Sequence, residues 1–205
     1  MKLFLAPGAC SLSPHIALHE AGLDFQAVTV DFATKRTSDG RDFNAINPKG
    51  YVPALELGDG TVLTEGPAIV QYIADQAPAS HLAPPNGTVA RYQLQEWLGF
   101  INSELHKPWG PLWRATATDE AKAAAREAIL RRLTFIAKHL EKQPWLLGDT
   151  FSVADGYLYV MLLWAKFTAV DLSSLPVLEA YRDRIAARPA VAATHASEKA
   201  LRSQK

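Results

Sequence analysis

The residues able to do chemistry begin at Cys10, the single cysteine among 205 residues. It sits in the turn-rich stretch Ala6-Pro7-Gly8-Ala9-Cys10-Ser11, between a short apolar run and a helical pattern. At such a helix entry, unpaired N–H groups and the helix dipole favour negative charge. A thiol there can ionise, or another molecule's thiolate can be held beside it. Ser11, Leu12 and Ser13 follow, so the second sulfur of a C-x-x-C pair is absent and redox chemistry would need an external thiol. Position alone fits a buried, inert cysteine equally well. Val52-Pro53 stands directly before an apolar run, where a proline removes no central ladder bond. A cis peptide is open there, and the Val52 backbone could pair with an extended peptide-like ligand; a plain strand-start proline needs neither. Thr64-Glu65-Gly66-Pro67 offers N–H groups for a carboxylate and a Glu side chain for an amine, which suits a zwitterionic amino-acid end. A helix entry with a favourable acid also accounts for Glu65.

Further along, Gly99, Ser103 and His106 recur at helical spacing, with Lys107 beside Pro108. A polar patch on an otherwise apolar helix suits a ligand cleft, and His106 could hydrogen-bond a thiol or steady a thiolate, or serve structure alone. His15 and His19 lie one turn apart without a third ligand, so a metal site is rejected. Ser152-Val153-Ala154-Asp155 has capping-box form with Asp in place of Glu or Gln, a structural device for satisfying donors at a buried helix start.

These residues need elements to hold them. Residues 2–5 read as a strand, 14–21 as a helix stopped by Gly22, and 25–30 as a second strand, together a parallel βαβ unit. A polar segment and the turn Asn47-Pro48-Lys49-Gly50 follow. Runs at 54–57 and 61–64 then flank Gly58-Asp59-Gly60, the signature of an antiparallel hairpin. A helix over 67–75 comes next, with Pro67 in its first turn. Residues 77–87 are rich in structure breakers and read as a linker. Beyond it strand signals vanish, and the periodicity predicts helices over 88–107, 119–142, 152–168 and 176–187, an all-helical second domain.

Lys and Arg total 21 and so do Asp and Glu, giving a formal net charge of zero. That balance excludes a general nucleic-acid or anionic-membrane binder. One cysteine excludes a disulfide framework and a cysteine-rich zinc site. The most apolar run, 157–165, is interrupted by Lys166 and is too short to cross a bilayer. Pro7-Gly8 cuts the apolar start short of a secretory core, so the cytoplasm is the expected compartment.

In order and spacing, these motifs resemble a bacterial cytosolic glutathione transferase of the beta class. The resemblance is carried by Ala6 to Ser11, by Asn47-Pro48-Lys49-Gly50-Tyr51-Val52-Pro53-Ala54-Leu55, by Leu63-Thr64-Glu65-Gly66, by Glu104-Leu105-His106-Lys107 and by Ser152 to Asp155. It implies an α/β plus all-α fold: a thioredoxin-like glutathione-binding domain over 1–76, a linker over 77–87 and an all-helical domain over 88–205. It also implies a homodimer with glutathione sites between the domains near the subunit interface. Cys10, Ser11 and His106 become the expected thiol-handling set. Val52 and a cis Pro53 would pair with the cysteinyl backbone, and Glu65 and Gly66 would hold the γ-glutamyl end. Lys35, Ser103 and Lys107 complete the glutathione contacts, the two lysines serving the glycine carboxylate and nearby charge. Tyr51, Trp109, Pro111, Leu112, Trp113, Tyr157 and Trp164 are candidates for an apolar electrophile pocket, core packing being the alternative for each. The chain departs from the pattern at Leu5, where many relatives carry Tyr, which excludes a tyrosine mechanism there. Gly99 stands where Asn is frequent, which puts one polar contact in question, with Asn102 as the candidate substitute.

The expected activity is conjugation of glutathione, the co-substrate, to small hydrophobic electrophiles, with no metal and a role in detoxification. Catalysis would rest on positioning and thiolate stabilisation. The alternatives are thiol transfer, peroxide reduction or dehalogenation through a mixed disulfide or direct attack at Cys10, and a noncatalytic interaction protein that keeps the fold.

Overall fold

A computed structural model describes residues 1–203. Contacts divide the chain into two compact units, one formed by Met1–Ala83 together with the chain from Ala187 onward, the other by Pro84–Ala186. The boundary falls inside the stretch read as a linker. The tail groups with the first unit, whereas 88–205 was expected to form one helical domain.

The first unit is built on a four-stranded sheet of order β2-β1-β3-β4. Strand β1 (Lys2–Leu5) runs parallel to β2 (Gln26–Thr29) and antiparallel to β3 (Ala54–Glu56), which pairs antiparallel with β4 (Val62–Thr64). Both the βαβ crossover and the Gly-Asp-Gly hairpin are therefore present. The second strand is shorter than expected, with Val30 reaching on only as an isolated bridge to Thr37. As an inner strand β1 is covered on both faces, so Leu3, Phe4 and Leu5 are all buried. One core cluster joins Phe4, Val28, Val30, Phe43, Val52 and Ala54.

Helix α1 (Leu12–Ala21) begins two residues before the expected start. Residues 12 to 18 are all buried, which a helix achieves only when it is covered on every side. Its main helical neighbours are α3 (Gly66–Gln76) and α9 (Pro189–Arg202). Gly22 closes α1 in the left-handed conformation at φ 63°. Two α-helices of this unit were not expected from the sequence. The single turn α2 (Phe43–Ile46), capped by the Asp42 carboxylate accepting the Asn44 N–H at 2.9 Å, is too short to show a period. Helix α9 has no apolar stripe, because its buried positions are Val191, Thr194 and Glu198.

The second unit is helical throughout its described elements. Helix α4 (Val89–Phe100) is capped by Thr88, whose hydroxyl accepts the Arg91 N–H at 3.2 Å. The helix expected to continue to 107 instead widens into a π-helical stretch, Ile101–His106, and then tightens into a 3₁₀ turn, Lys107–Trp109. A short α5 (Gly110–Trp113), the long α6 (Asp119–Leu140), α7 (Val153–Thr168) and α8 (Pro176–Ala186) follow. Helix α7 is buried along nearly its whole length. The buried Asp155 carboxylate accepts the Ser152 N–H at 2.8 Å and the Ser152 hydroxyl at 2.7 Å. It also takes the Leu146 N–H at 2.8 Å and the Tyr181 hydroxyl at 2.6 Å. The capping residue thus ties together a loop and two helices.

Candidate functional site

In the first unit the loop from Ala6 to Ser11 carries the thiol into the start of α1. It is pinned from within: the buried Ser11 hydroxyl accepts the Ala6 N–H and donates to the Ala6 carbonyl, both at 3.1 Å, and the Ala9 N–H donates to the same carbonyl at 3.0 Å. Gly8 holds φ at 85°, a left-handed value suited to glycine, and its N–H donates to Glu198 Oε2 on α9 at 2.7 Å. Ser11 therefore spends its hydroxyl on the loop itself.

The Cys10 thiol donates to the Val52 carbonyl at 3.4 Å, and the Val52-Pro53 peptide is cis. Burial pushes the Cys10 thiol up to about 11, against the N–H groups of Cys10 and Ser11, which pull it down; the Glu65 charge adds to the rise. The placement that could have produced a resting thiolate instead produces a thiol, because desolvation outweighs the helix entry.

Around this centre, Glu65 adopts φ 69°, an unusual conformation for a residue with a side chain, just before α3. Its carboxylate pairs with Lys49 Nζ at 2.7 Å, and the same ammonium reaches Thr64 Oγ1 at 2.9 Å. The lysine holding Glu65 is thus Lys49, which lies in the Asn-Pro-Lys-Gly turn but was not among the expected site residues. Gly66 starts α3. Lys35 donates to the Gly50 carbonyl at 2.7 Å, and Asn47 Nδ2 donates to the Tyr51 carbonyl at 2.8 Å, so both ends of the turn before Val52 are fixed. The Tyr51 ring is more than half exposed, at 56%.

In the second unit the π-helical stretch brings Asn102 and His106 to one phenol. Tyr157 donates its hydroxyl proton to Asn102 Oδ1 at 3.1 Å and sits 2.6 Å from His106 Nδ1. With the phenol proton given to Asn102, Nδ1–H of His106 donates to the phenol oxygen, leaving the lone pair on Nε2. Burial, helped by Lys107, lowers His106 to about 4, so the imidazole is neutral at physiological pH. Its ring stands edge-on to Trp164 at 5.0 Å, and Trp164 meets Trp109 at 5.8 Å and Trp113 at 5.4 Å.

Of the expected apolar pocket residues, Trp109 is wholly buried and reads as packing, whereas Trp113 is half exposed and Leu112 partly so. Ser103 gives its hydroxyl to the Gly99 carbonyl at 2.9 Å, and Lys107 is exposed. The space beside Gly99 is open, and Asn102 is engaged by Tyr157. Among the described residues no group of three or more His, Cys, Asp or Glu is arranged to hold a metal ion, and no helix is long and apolar enough to cross a membrane.

Comparison with known proteins matches residues 8–76 to the family "Glutathione S-transferase, N-terminal domain" and residues 100–189 to "Glutathione S-transferase, C-terminal domain". The chain is 45% identical over 191 residues to the glutathione S-transferase GstA of Escherichia coli O157:H7, covering 93% of this chain and 95% of that one. Its structure is similar to that of a sphingomonad glutathione S-transferase complexed with glutathione, with a TM-score of 0.95, 52% identity and coverage of 97% and 99% of the two chains. It is also similar to a bacterial beta class glutathione S-transferase of Sphingomonas chungbukensis, with a TM-score of 0.94, 50% identity and coverage of 97% and 98%.

Proposed function

This chain belongs to the glutathione S-transferases, a family of enzymes, and from that premise we propose that it binds glutathione and conjugates its thiolate to small hydrophobic electrophiles. The observation that carries the mechanism is the protonated Cys10 at the entry to α1. A thiol titrating near 11 is a poor resting nucleophile and a serviceable hydrogen-bond donor. In this reading the Cys10 S–H and the neighbouring loop N–H groups stabilise the thiolate of glutathione, which makes the attack. The glutathione sulfur forms the new bond to the electrophilic carbon, and the leaving group departs with its electron pair. Where the electrophile has no leaving group, a proton from solvent completes the adduct.

Val52 and Pro53 pair with the cysteinyl backbone in this assignment, while Glu65, steadied by Lys49, and Gly66 take the γ-glutamyl end. Lys35, on the same unit, serves the glycine carboxylate. Ser11 acts by holding the loop. Within the helical unit the partly exposed Leu112 and the half-exposed Trp113, packed on Trp164, receive the apolar part of the electrophile. In the same proposal residues 1–76 form the glutathione-binding domain and the helices after 88 carry the electrophile pocket. A homodimer, a cytoplasmic setting and a detoxifying role belong to the same proposal.

Calorimetric titration of the reduced protein with glutathione tests it. Saturable binding near one site per chain is expected; no binding at millimolar glutathione to a folded protein would overturn the assignment. Cys10→Ala then separates the chemistries. Conjugation reduced by roughly tenfold or less, with disulfide exchange abolished, fits a donor role, whereas loss of both activities would make Cys10 itself the reacting group.

A further inference from the structure

The loop that presents Cys10 is fastened at one point by a residue from the far end of the chain. Its N–H groups can be followed one by one: that of Ala6 goes to the Ser11 hydroxyl, that of Ala9 to the Ala6 carbonyl and that of Gly8 to Glu198. Those of Cys10 and Ser11 remain, and both act on the Cys10 sulfur. Glu198 is 4% exposed, and its second oxygen lies 3.4 Å from Nδ1 of His15, which is itself fully buried. A buried carboxylate is costly to desolvate, and here one of its oxygens meets the turn two residues before the cysteine. One helical turn further along α9, Arg202 covers the same glycine: a Cβ at position 8 would lie 2.6 Å from Arg202 Nη2. The helix is itself moored to the end of α1 by Arg188, which grips the Glu20 carboxylate with two bonds of 2.6 and 2.8 Å.

We propose that Glu198 is a positioning residue for the thiol site, holding Gly8 so that the Cys10 and Ser11 N–H groups face the sulfur-binding point of the loop. The proposal rests on the glutathione transferase reading for its meaning in catalysis, but the geometry it asserts can be read on Cys10 alone. Without the acceptor the part-buried Gly8 N–H loses this bond to α9, which loosens the loop. The sulfur then gains solvent, and the burial that disfavours its thiolate is relieved.

The test follows alkylation of Cys10 by iodoacetamide in the folded protein, by mass spectrometry across pH 7 to 10. Glu198→Leu should alkylate at least about tenfold faster, with its pH profile moved to lower pH. Glu198→Asp, which keeps the charge but withdraws it by a methylene, should also be faster, whereas Glu198→Gln, which keeps an acceptor oxygen, should restore slow alkylation. A role confined to stability would lower Tm in these variants without changing Cys10 reactivity below the transition. Unchanged alkylation in Glu198→Asp, judged folded by circular dichroism, would overturn the proposal, and this holds even where Glu198→Leu fails to fold. Titrating the same proteins with glutathione keeps the two readings apart. Absence of binding by the unaltered protein sinks the transferase assignment alone, while unaltered alkylation alongside normal binding sinks the role of Glu198 alone.

Discussion

A thiol that titrates near 11 and an imidazole that titrates near 4 are both uncharged through the physiological range. Cys10 therefore keeps its thiol proton and His106 a neutral ring whose Nδ1–H is already given to Tyr157, and burial is the chief cause in each case. For His106 the sign of the pH effect on stability follows from linkage. Its value in the folded chain lies below the ordinary 6.5, so between about 6.5 and 4 the unfolded chain binds the additional proton. Stability is fully present above 6.5 and is lost as pH falls toward 4. His19 and His195 are lowered as well, chiefly by burial, and act in the same direction. Thermal unfolding at pH 7 and at pH 5 should show a lower Tm at pH 5, with a smaller difference in His106→Gln; an equal difference would show that His106 does not titrate as described. At this scale Cys10, Val52, Pro53 and Glu65 are legible in the sequence, since turn residues, a pre-strand proline and a helix entry are local signals. The protonation of Cys10 is not, because it depends chiefly on how deeply the fold buries the sulfur, with a smaller push from the Glu65 charge. Lys49 lies within a recognised turn, yet only its reach to Glu65 reveals what it does.

At the scale of elements, the widened turn Ile101–His106 lets one helix place both Asn102 and His106 on Tyr157. A regular helix was expected across it, since residue types alone do not signal a π-helical turn. Capping at Asp155 is the opposite case. The four-residue pattern Ser152 to Asp155 announces a helix start, though not the bonds to Leu146 and Tyr181 that make the carboxylate a junction. Replacing it leaves buried donors unsatisfied on three elements. Asp155→Ala should therefore destabilise by on the order of 3 kcal/mol, a drop in Tm of roughly 6–12 °C. Calorimetric unfolding checks this, and an unchanged Tm would refute the junction. Helix α9 gave no such warning, because its buried face carries Thr194 and Glu198 in place of an apolar stripe.

Across the whole molecule, order in sequence and order in space part company at the last helix. The βαβ unit, the hairpin, the break near 77–87 and four of the later helices are readable from local pattern. The return of α9 to α1 is not, because the contacts that cause it join Gly8 to Glu198 and Glu20 to Arg188 across most of the chain. Helix α1 holds a hint in retrospect: a helix buried on every side needs one more neighbour than the sheet and α3 provide. A protein ending at Ala186 should bare that face, and its Cys10 should be alkylated faster than in the full chain by about tenfold or more; protection of Cys10 in that shortened protein would show that α9 is dispensable to the loop.

The same return governs how the protein is made. Residues 1–83 leave the ribosome before the segment that completes their packing, which emerges only after Pro84–Ala186 have been synthesised. At about 5–20 residues per second that interval lasts on the order of 5 to 20 seconds. During it the strands can pair, but Gly8 has no Glu198 to bind, and the nascent chain carries an unfinished thiol loop. Packing of the first unit is thereby completed only after α9 has been synthesised, and until that helix docks the cysteine lacks the cover it brings.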